Sequence, residues 1–275
     1  MTEAKKFDEK DLTEALNKIG FLLERKISIY LIGGCAMTFM GRKAATKDID
    51  VVFTSTMDVR DFASAMEKVG FIYVQKPSKE YDTLGAWVIM ENSSGMRFDL
   101  FDRQVCRALE ISKSMHARAT RYKDFGNLQV YLISPEDIFL FKGITEREAD
   151  LDDMRILAER GLDWKAIENE CLSQKKSEKW AYMLGTKLLE LKSKLGIDAP
   201  IVRTLMDYSD LHLVKQVFRK IISEGNTTFK EISKVVRDKY GYSESWTRKQ
   251  LKILIKKRVV ILHKKGKKQV FSVAQ

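Results

Sequence analysis

At 275 residues, with 44% hydrophobic and 32% charged side chains, the chain can bury a substantial core and is long enough for two domains. Its three prolines argue against long disordered tracts, and no apolar run reaches the roughly 18 residues that span a bilayer, so no membrane partner is expected. The net charge of +11 is concentrated in one region: Leu211 to Gln275 carries 17 Lys and Arg against 4 Asp and Glu, and the rest of the chain is close to neutral. A segment of that sign and density attracts a polyanion such as DNA or RNA.

The opening MTEAKKFDEKDLTEAL lacks the apolar core of a signal peptide, and a cytoplasmic location is expected. An amphipathic helix follows over Asp11 to Arg25, with Leu12, Leu16, Ile19 and Leu23 at helical spacing. A strand over Ile27 to Ile32 ends at Gly33-Gly34. A short helix then leads to a strand over Asp48 to Phe53, and a further helix over Val59 to Val69 closes at Gly70. Phe71 to Gln75, Ala86 to Met90 and Met96 to Phe101 read as strands, the last two joined by a turn at Asn92 to Gly95. Leu128 to Ile133 is one more strand. Ser134 and Pro135 mark a helix start, as N-cap and first helical residue, and Pro135 to Leu195 has a helical pattern. Helices over Leu211 to Glu224, Phe229 to Tyr240 (capped by Thr227 or Thr228) and Ser243 to Lys257 precede short strands over Val259 to His263 and Gln269 to Val273.

Cys35, Cys106 and Cys171, like the three histidines, are scattered without ligand spacing, so any catalytic metal must be held by carboxylates. Asp48 and Asp50 lie two apart on a predicted strand and project from one face, where paired carboxylates can coordinate hard divalent cations. Two such groups side by side need a cation to offset their burial. Gly33-Gly34 lets a phosphate approach the backbone at a helix start, whose free N–H groups face it. Cys35 reads as a small packing residue. Arg42 and Thr46 are read either as binding residues or as ordinary loop residues.

Gly-Gly, a short helix and Asp-x-Asp on the next strand resemble the polymerase-beta-like nucleotidyltransferase superfamily. That resemblance implies a third carboxylate on a later strand, a role offered by Asp99 in Phe98-Asp99-Leu100-Phe101, with Asp102 the weaker candidate. It also implies Mg2+ (or Mn2+) and an NTP substrate. Gly33-Gly34-Cys35-Ala36, Arg42, Thr46, and Ser134-Pro135-Glu136-Asp137 followed by Lys142, Arg147, Asp150 and Asp153 resemble the toxin nucleotidyltransferases of type IV abortive-infection systems. The family's usual Lys before the first of those last aspartates is Ala149 here. The resemblance implies that Lys142 reaches the triphosphate and that a cognate antitoxin is a partner. Arg147 either aids Lys142 or pairs with Asp150 along a helix. The residues before Asp48 also suggest the CCA-adding tRNA nucleotidyltransferases, less well, because Met37-Thr38 stands where those carry Arg-Asp.

Three helices and a hairpin in about 65 residues resemble a winged helix-turn-helix. Its nucleic-acid contacts would be Arg248, Lys249 and Lys252 on the third helix, and Lys264, Lys265, Lys267 and Lys268 around the hairpin turn, with tRNA or DNA as the ligand. The alternative is a wing used for protein contacts. Together the elements predict an α+β fold: a nucleotidyltransferase domain over 1–165 with a mixed sheet and flanking helices, a helical extension over 166–205 and a winged helix over 206–275. The competing reading is a DNA-binding regulator or antitoxin partner that keeps a degenerate transferase fold.

Overall fold

The computed structural model describes residues 5–74, 86–105, 109–145, 147, 149–265 and 268–274. They separate into two compact units, Met1–Val202 and Arg203–Gln275.

The first unit opens with helix α1 (Glu9–Gly20), capped by Asp8 in a capping box with Asp11. Leu12, Leu16 and Ile19 form its buried stripe. The helix stops five residues short of the sequence expectation. A Cβ on Gly20 would stand 2.0 Å from the carbonyl oxygen of Phe125, and Gly20 gives its own carbonyl to the Asn127 N–H at 3.1 Å. That contact with a neighbouring turn replaces the next helical hydrogen bond.

Strand β1 (Ile27–Leu31), helix α2 (Gly33–Phe39), strand β2 (Asp48–Phe53), helix α3 (Thr56–Lys68) and strands β3 (Phe71–Tyr73), β4 (Val88–Asn92) and β5 (Arg97–Asp102) follow. Two minor strands, β6 (Gln104–Val105) and β7 (Leu109–Glu110), precede helix α4 (Lys113–Arg118). Strands β8 (Thr120–Phe125) and β9 (Leu128–Leu132) complete a seven-stranded mixed sheet in the order β3-β4-β5-β2-β1-β9-β8. β2 runs parallel to β5, and β1 runs parallel to β9 and antiparallel to β2. Phe62 of α3 packs on Phe53 and Phe98, which fixes the face bearing Ile49, Val51 and Phe53 as core. Asp48 and Asp50 alternate with these residues and therefore face away from α3.

The stretch expected to be helical from Pro135 to Leu195 is four helices: α5 (Pro135–Gly143), α6 (Asp150–Glu159), α7 (Trp164–Ser173) and α8 (Ser177–Leu195). Ser134 caps α5 with proline in its first turn, as its sequence predicts. α6, α7 and α8 all pack against α5 or one another, so they extend the core of the first unit. No helix among the described residues is long and apolar enough to cross a membrane.

The second unit consists of helices α9 (Val202–Ser223), α10 (Phe229–Tyr240) and α11 (Glu244–Lys256) with the hairpin β10 (Val260–Lys265) and β11 (Lys268–Val273). α9 starts nine residues earlier than the periodicity suggests, and Thr228 is the α10 cap. Phe218, Ile221 and Ile222 meet Ile232, Val236, Leu251, Leu254, Val260 and Phe271 in a core of its own. The hairpin turn residues Gly266 and Lys267 lie outside the described residues, as do Gln75 and Cys106.

Candidate active site

The register of the sheet brings the predicted carboxylates together. In the parallel β2–β5 pair Asp50 lies directly opposite Asp99, and Asp48 opposite Arg97. All four side chains share the face away from α3. Asp102 falls on the other face, where it accepts from Thr56 Oγ1 at 2.6 Å at the start of α3.

Gly33 ends β1 and begins α2 with φ of +62°, a conformation that favours glycine. A Cβ there would stand 2.5 Å from Asp50 Oδ2, and a Cβ on Gly34 would stand 2.8 Å from Thr46 Oγ1. Gly33 thus sits against the Asp50 carboxylate and Gly34 against the Thr46 hydroxyl, each with room only for backbone. Thr46 is buried and donates to the Asp48 carbonyl at 3.0 Å, which fixes the entry to β2. Cys35 is fully buried, and burial together with Asp50 pushes its thiol well up, which suits packing and not nucleophilic work.

Burial raises the Asp50 pKa to about 7, with the charges of Asp99 and Asp48 adding to the effect. Burial likewise raises that of Asp99 to about 6, against the pull of Arg97. Arg97 Nε donates to Asp99 Oδ1 at 2.7 Å. Among the described residues no three carboxylate, His or Cys side chains already stand in coordinating geometry. Three oxygen-only donors on one sheet face, two of them short of solvation, nonetheless fit a hard divalent cation better than they fit each other.

A second cluster adjoins the glycine pair. Lys142 Nζ donates to Asp150 Oδ1 at 2.9 Å and pairs with Asp153 Oδ2 at 2.7 Å. Lys43 donates to both oxygens of Asp153 at 2.9 and 3.1 Å, and its ammonium would be 3.7 Å from a Gly34 Cβ. Thr145 donates to Asp150, and Arg147 Nε stands 3.5 Å from Asp150 Oδ2. Burial would lower the Lys142 pKa, but the two aspartates outweigh it and the value is raised; Asp150 and Asp153 are correspondingly lowered. Arg42 Nη1 is buried with no hydrogen-bond partner among the described residues, and burial followed by the nearby Arg160 lowers its pKa.

A model described as a nucleotidyltransferase of unknown function (DUF6036) matches residues 10–183, well over half of the chain. The chain belongs to this family. No curated protein matches it. Among solved structures, one described as "Crystal structure of putative nucleotidyltransferase from H. pylori" aligns over 74% of this chain and 93% of its own, at 15% identity and a TM-score of 0.36. That likeness is too loose to carry residue roles.

No sequence pattern singled out Arg97 or Lys43 in this chain. Arg97 could have been found from Arg-x-Asp on a strand, since the i and i+2 side chains share a face. Lys43 had no such signal: its carboxylate partner is 110 residues away.

Asp153 joins the two lysines, and its loss should be costly. Asp153→Asn is expected to destabilise the fold by up to about 3–5 kcal/mol at neutral pH, with Asp150 retaining part of the pairing. Because folding lowers the Asp153 pKa, this stabilisation is present above pH about 4 and is lost as pH falls through the still lower folded value. Chemical denaturation of both proteins at pH 7 and pH 3 checks this: the gap should be wide at pH 7 and narrower at pH 3.

Proposed function

We propose that this protein transfers a nucleoside monophosphate from an NTP to an acceptor hydroxyl, with the catalytic corner formed by Asp48, Asp50 and Asp99. The observation that carries the reading is Asp50 facing Asp99 across parallel strands beneath a glycine whose Cβ would collide with the Asp50 carboxylate. Magnesium (or manganese), held by Asp48, Asp50 and Asp99, would supply Lewis-acid stabilisation of charge on the phosphates.

The chain's own residues account for the rest. The glycine pair lets a phosphate oxygen approach the backbone. Lys142 and Lys43 supply positive charge beside it, held in place by Asp153 and Asp150. Arg42, with a buried nitrogen that has no hydrogen-bond partner among the described residues, and Arg147 add cationic donors suited to phosphate. The acceptor oxygen forms its bond to the α-phosphorus as the bond to pyrophosphate breaks, and its proton passes to Asp99. Arg97 positions Asp99 until the substrates arrive.

The second unit is read as a winged helix-turn-helix that holds a nucleic-acid acceptor, with tRNA the first candidate. Its support is the three-helix and hairpin order, the charge balance, and the exposure of Arg248, Lys249, Lys252 and Lys264. Arg248 lies 4.2 Å over the Phe229 ring, an arrangement that leaves guanidinium edges for phosphate. Of the remaining hairpin lysines, Lys265 and Lys268 pair across the strand ends through their backbones. The grouping of Lys142, Arg147 and Asp150 in one cluster supports the type IV abortive-infection toxin subtype, with an antitoxin protein as partner and the cytoplasm as its location.

Incubation with each α-labelled NTP, magnesium and total RNA tests the reaction. Label should move to RNA with the wild-type protein and not with Asp50→Asn. Identical blanks from both proteins with every NTP would favour the regulator with a degenerate transferase fold.

Lys43→Ala is expected to weaken binding of a non-hydrolysable NTP in magnesium by roughly 10- to 150-fold, the order of one charge-assisted hydrogen bond. Its effect on stability should be small, because Lys43 is one-third exposed and Lys142 still neutralises Asp153. Calorimetry checks the affinity, and an unchanged value removes Lys43 from the binding site.

A further inference from the structure

We propose that Tyr242 and Trp246 form a base-stacking platform, and that the second unit takes unpaired nucleotides and not an intact duplex. The proposal rests on the reading of that unit as a nucleic-acid holder. The two rings lie one turn apart at the start of α11, with centroids 4.0 Å apart and planes 10° from parallel. Trp246 is the inner plate: it is partly buried against the core and has Phe218 at 6.2 Å behind it. Tyr242 is the outer plate, 47% exposed although one of its faces is covered by Trp246.

The short turn holds Tyr242 from both sides. Gly241 ends α10 in the left-handed region with φ of 73°, and Ser243 caps α11 by accepting from the Trp246 N–H at 3.2 Å. A ring anchored in this way pays little conformational entropy when a further ring stacks on it. Exposed Arg248, Lys249 and Lys252 follow within two turns of Trp246, and Tyr240, 43% exposed, precedes Tyr242.

Aromatic faces beside cations are the means by which proteins hold single strands, because every base has a π-face and every nucleotide a phosphate. A duplex groove presents base edges, while the faces are covered by neighbouring base pairs. An open tyrosine face on a tryptophan therefore matches an unpaired base.

Anisotropy with the full-length protein and a labelled 12-nucleotide RNA, the same sequence as DNA, and each as a duplex provides the test. Both single strands should bind more tightly than their duplexes, and any difference between them reads a preference for RNA or DNA. Tyr242→Ala should weaken single-strand binding by about 5- to 150-fold, the range of one base–aromatic stack, without changing the salt slope. Tyr242→Phe should bind as wild type. Tyr242→Leu, which keeps an apolar cover over Trp246, should bind as poorly as the alanine variant, so that lost packing cannot account for the effect. Equal or tighter duplex binding, or single-strand binding that is indifferent to Tyr242→Ala, overturns the platform and leaves the nucleic-acid reading standing. Absence of binding to all four ligands at low salt overturns both.

Discussion

Asp50→Asn is expected to reduce nucleotidyl transfer by about 1,000-fold or more, which corresponds to roughly 4 kcal/mol of transition-state stabilisation, while the fold survives and melts at a higher temperature. The two effects have one cause. Asp50 lies against Gly33 and opposite Asp99, where burial and the neighbouring carboxylates raise its pKa to about 7. The unfolded chain releases that proton near pH 4, so the folded protein binds it more tightly. Ionised Asp50 therefore costs stability above pH 7, and the cost is relieved as pH falls through 7 and on towards 4. An amide removes the cost at every pH. The melting-temperature advantage of Asp50→Asn should accordingly be largest near pH 8.5 and shrink towards pH 5. Each kcal/mol relieved should appear as about 2–4 °C. Magnesium should raise the wild-type melting temperature most at the alkaline end and leave Asp50→Asn nearly unmoved. Scanning fluorimetry over pH, with EDTA or with magnesium, reads all of this without an activity assay. A mutant that melts below wild type at pH 8.5 would contradict the placement of Asp50 among repelling carboxylates.

The candidate corner was legible because its signals are local. Gly-Gly at a strand end and Asp-x-Asp on an alternating strand need only a few residues each, and Phe98-Asp99-Leu100-Phe101 shows one polar residue breaking an apolar run. What could not be read was which strands adjoin. The parallel register that sets Asp50 opposite Asp99 spans 49 residues of chain. β8, Thr120–Phe125, escaped notice because an edge strand with one buried residue carries no apolar alternation. The division of Pro135 to Leu195 into four helices was masked by a helical pattern on both sides of each break. Between the first two of these helices, Thr145 and Arg147 turn towards Asp150. Lys43 is illegible for a related reason: it is far from Lys142 in sequence and meets it only through Asp153. Arg118 similarly joins Asp137 and Glu170 from separate helices, a buried network that ties α4 to α5 and α7. Long-range charge pairing of this kind leaves no periodic trace.

Replacing Lys249, Lys252 and Lys264 together by alanine is expected to separate the nucleic-acid unit from the transferase unit. All three are exposed, the first two one turn apart on α11 and the third on β10, in the region where the chain carries 17 basic against 4 acidic residues. If each neutralises a phosphate, the slope of log affinity against log salt should flatten by about 0.9 per lysine on duplex DNA and about 0.7 on a single strand, or roughly two to three units in all. The counterions released per bound strand fall by the same number, so the loss should be greatest at low salt and fade as salt rises. Asp50→Asn should retain the wild-type slope, because its lesion lies in the other unit. In the transfer assay the triple variant should raise the KM for an RNA acceptor and leave the KM for NTP unchanged, the pattern of lost acceptor binding. Anisotropy titrations at four salt concentrations and acceptor-dependent initial rates supply both readouts. A triple variant with an unchanged slope would mean that these lysines are a solvated face or a protein-docking surface. The acceptor would then have to be sought among proteins or small molecules, with the carboxylate corner unaffected by that result.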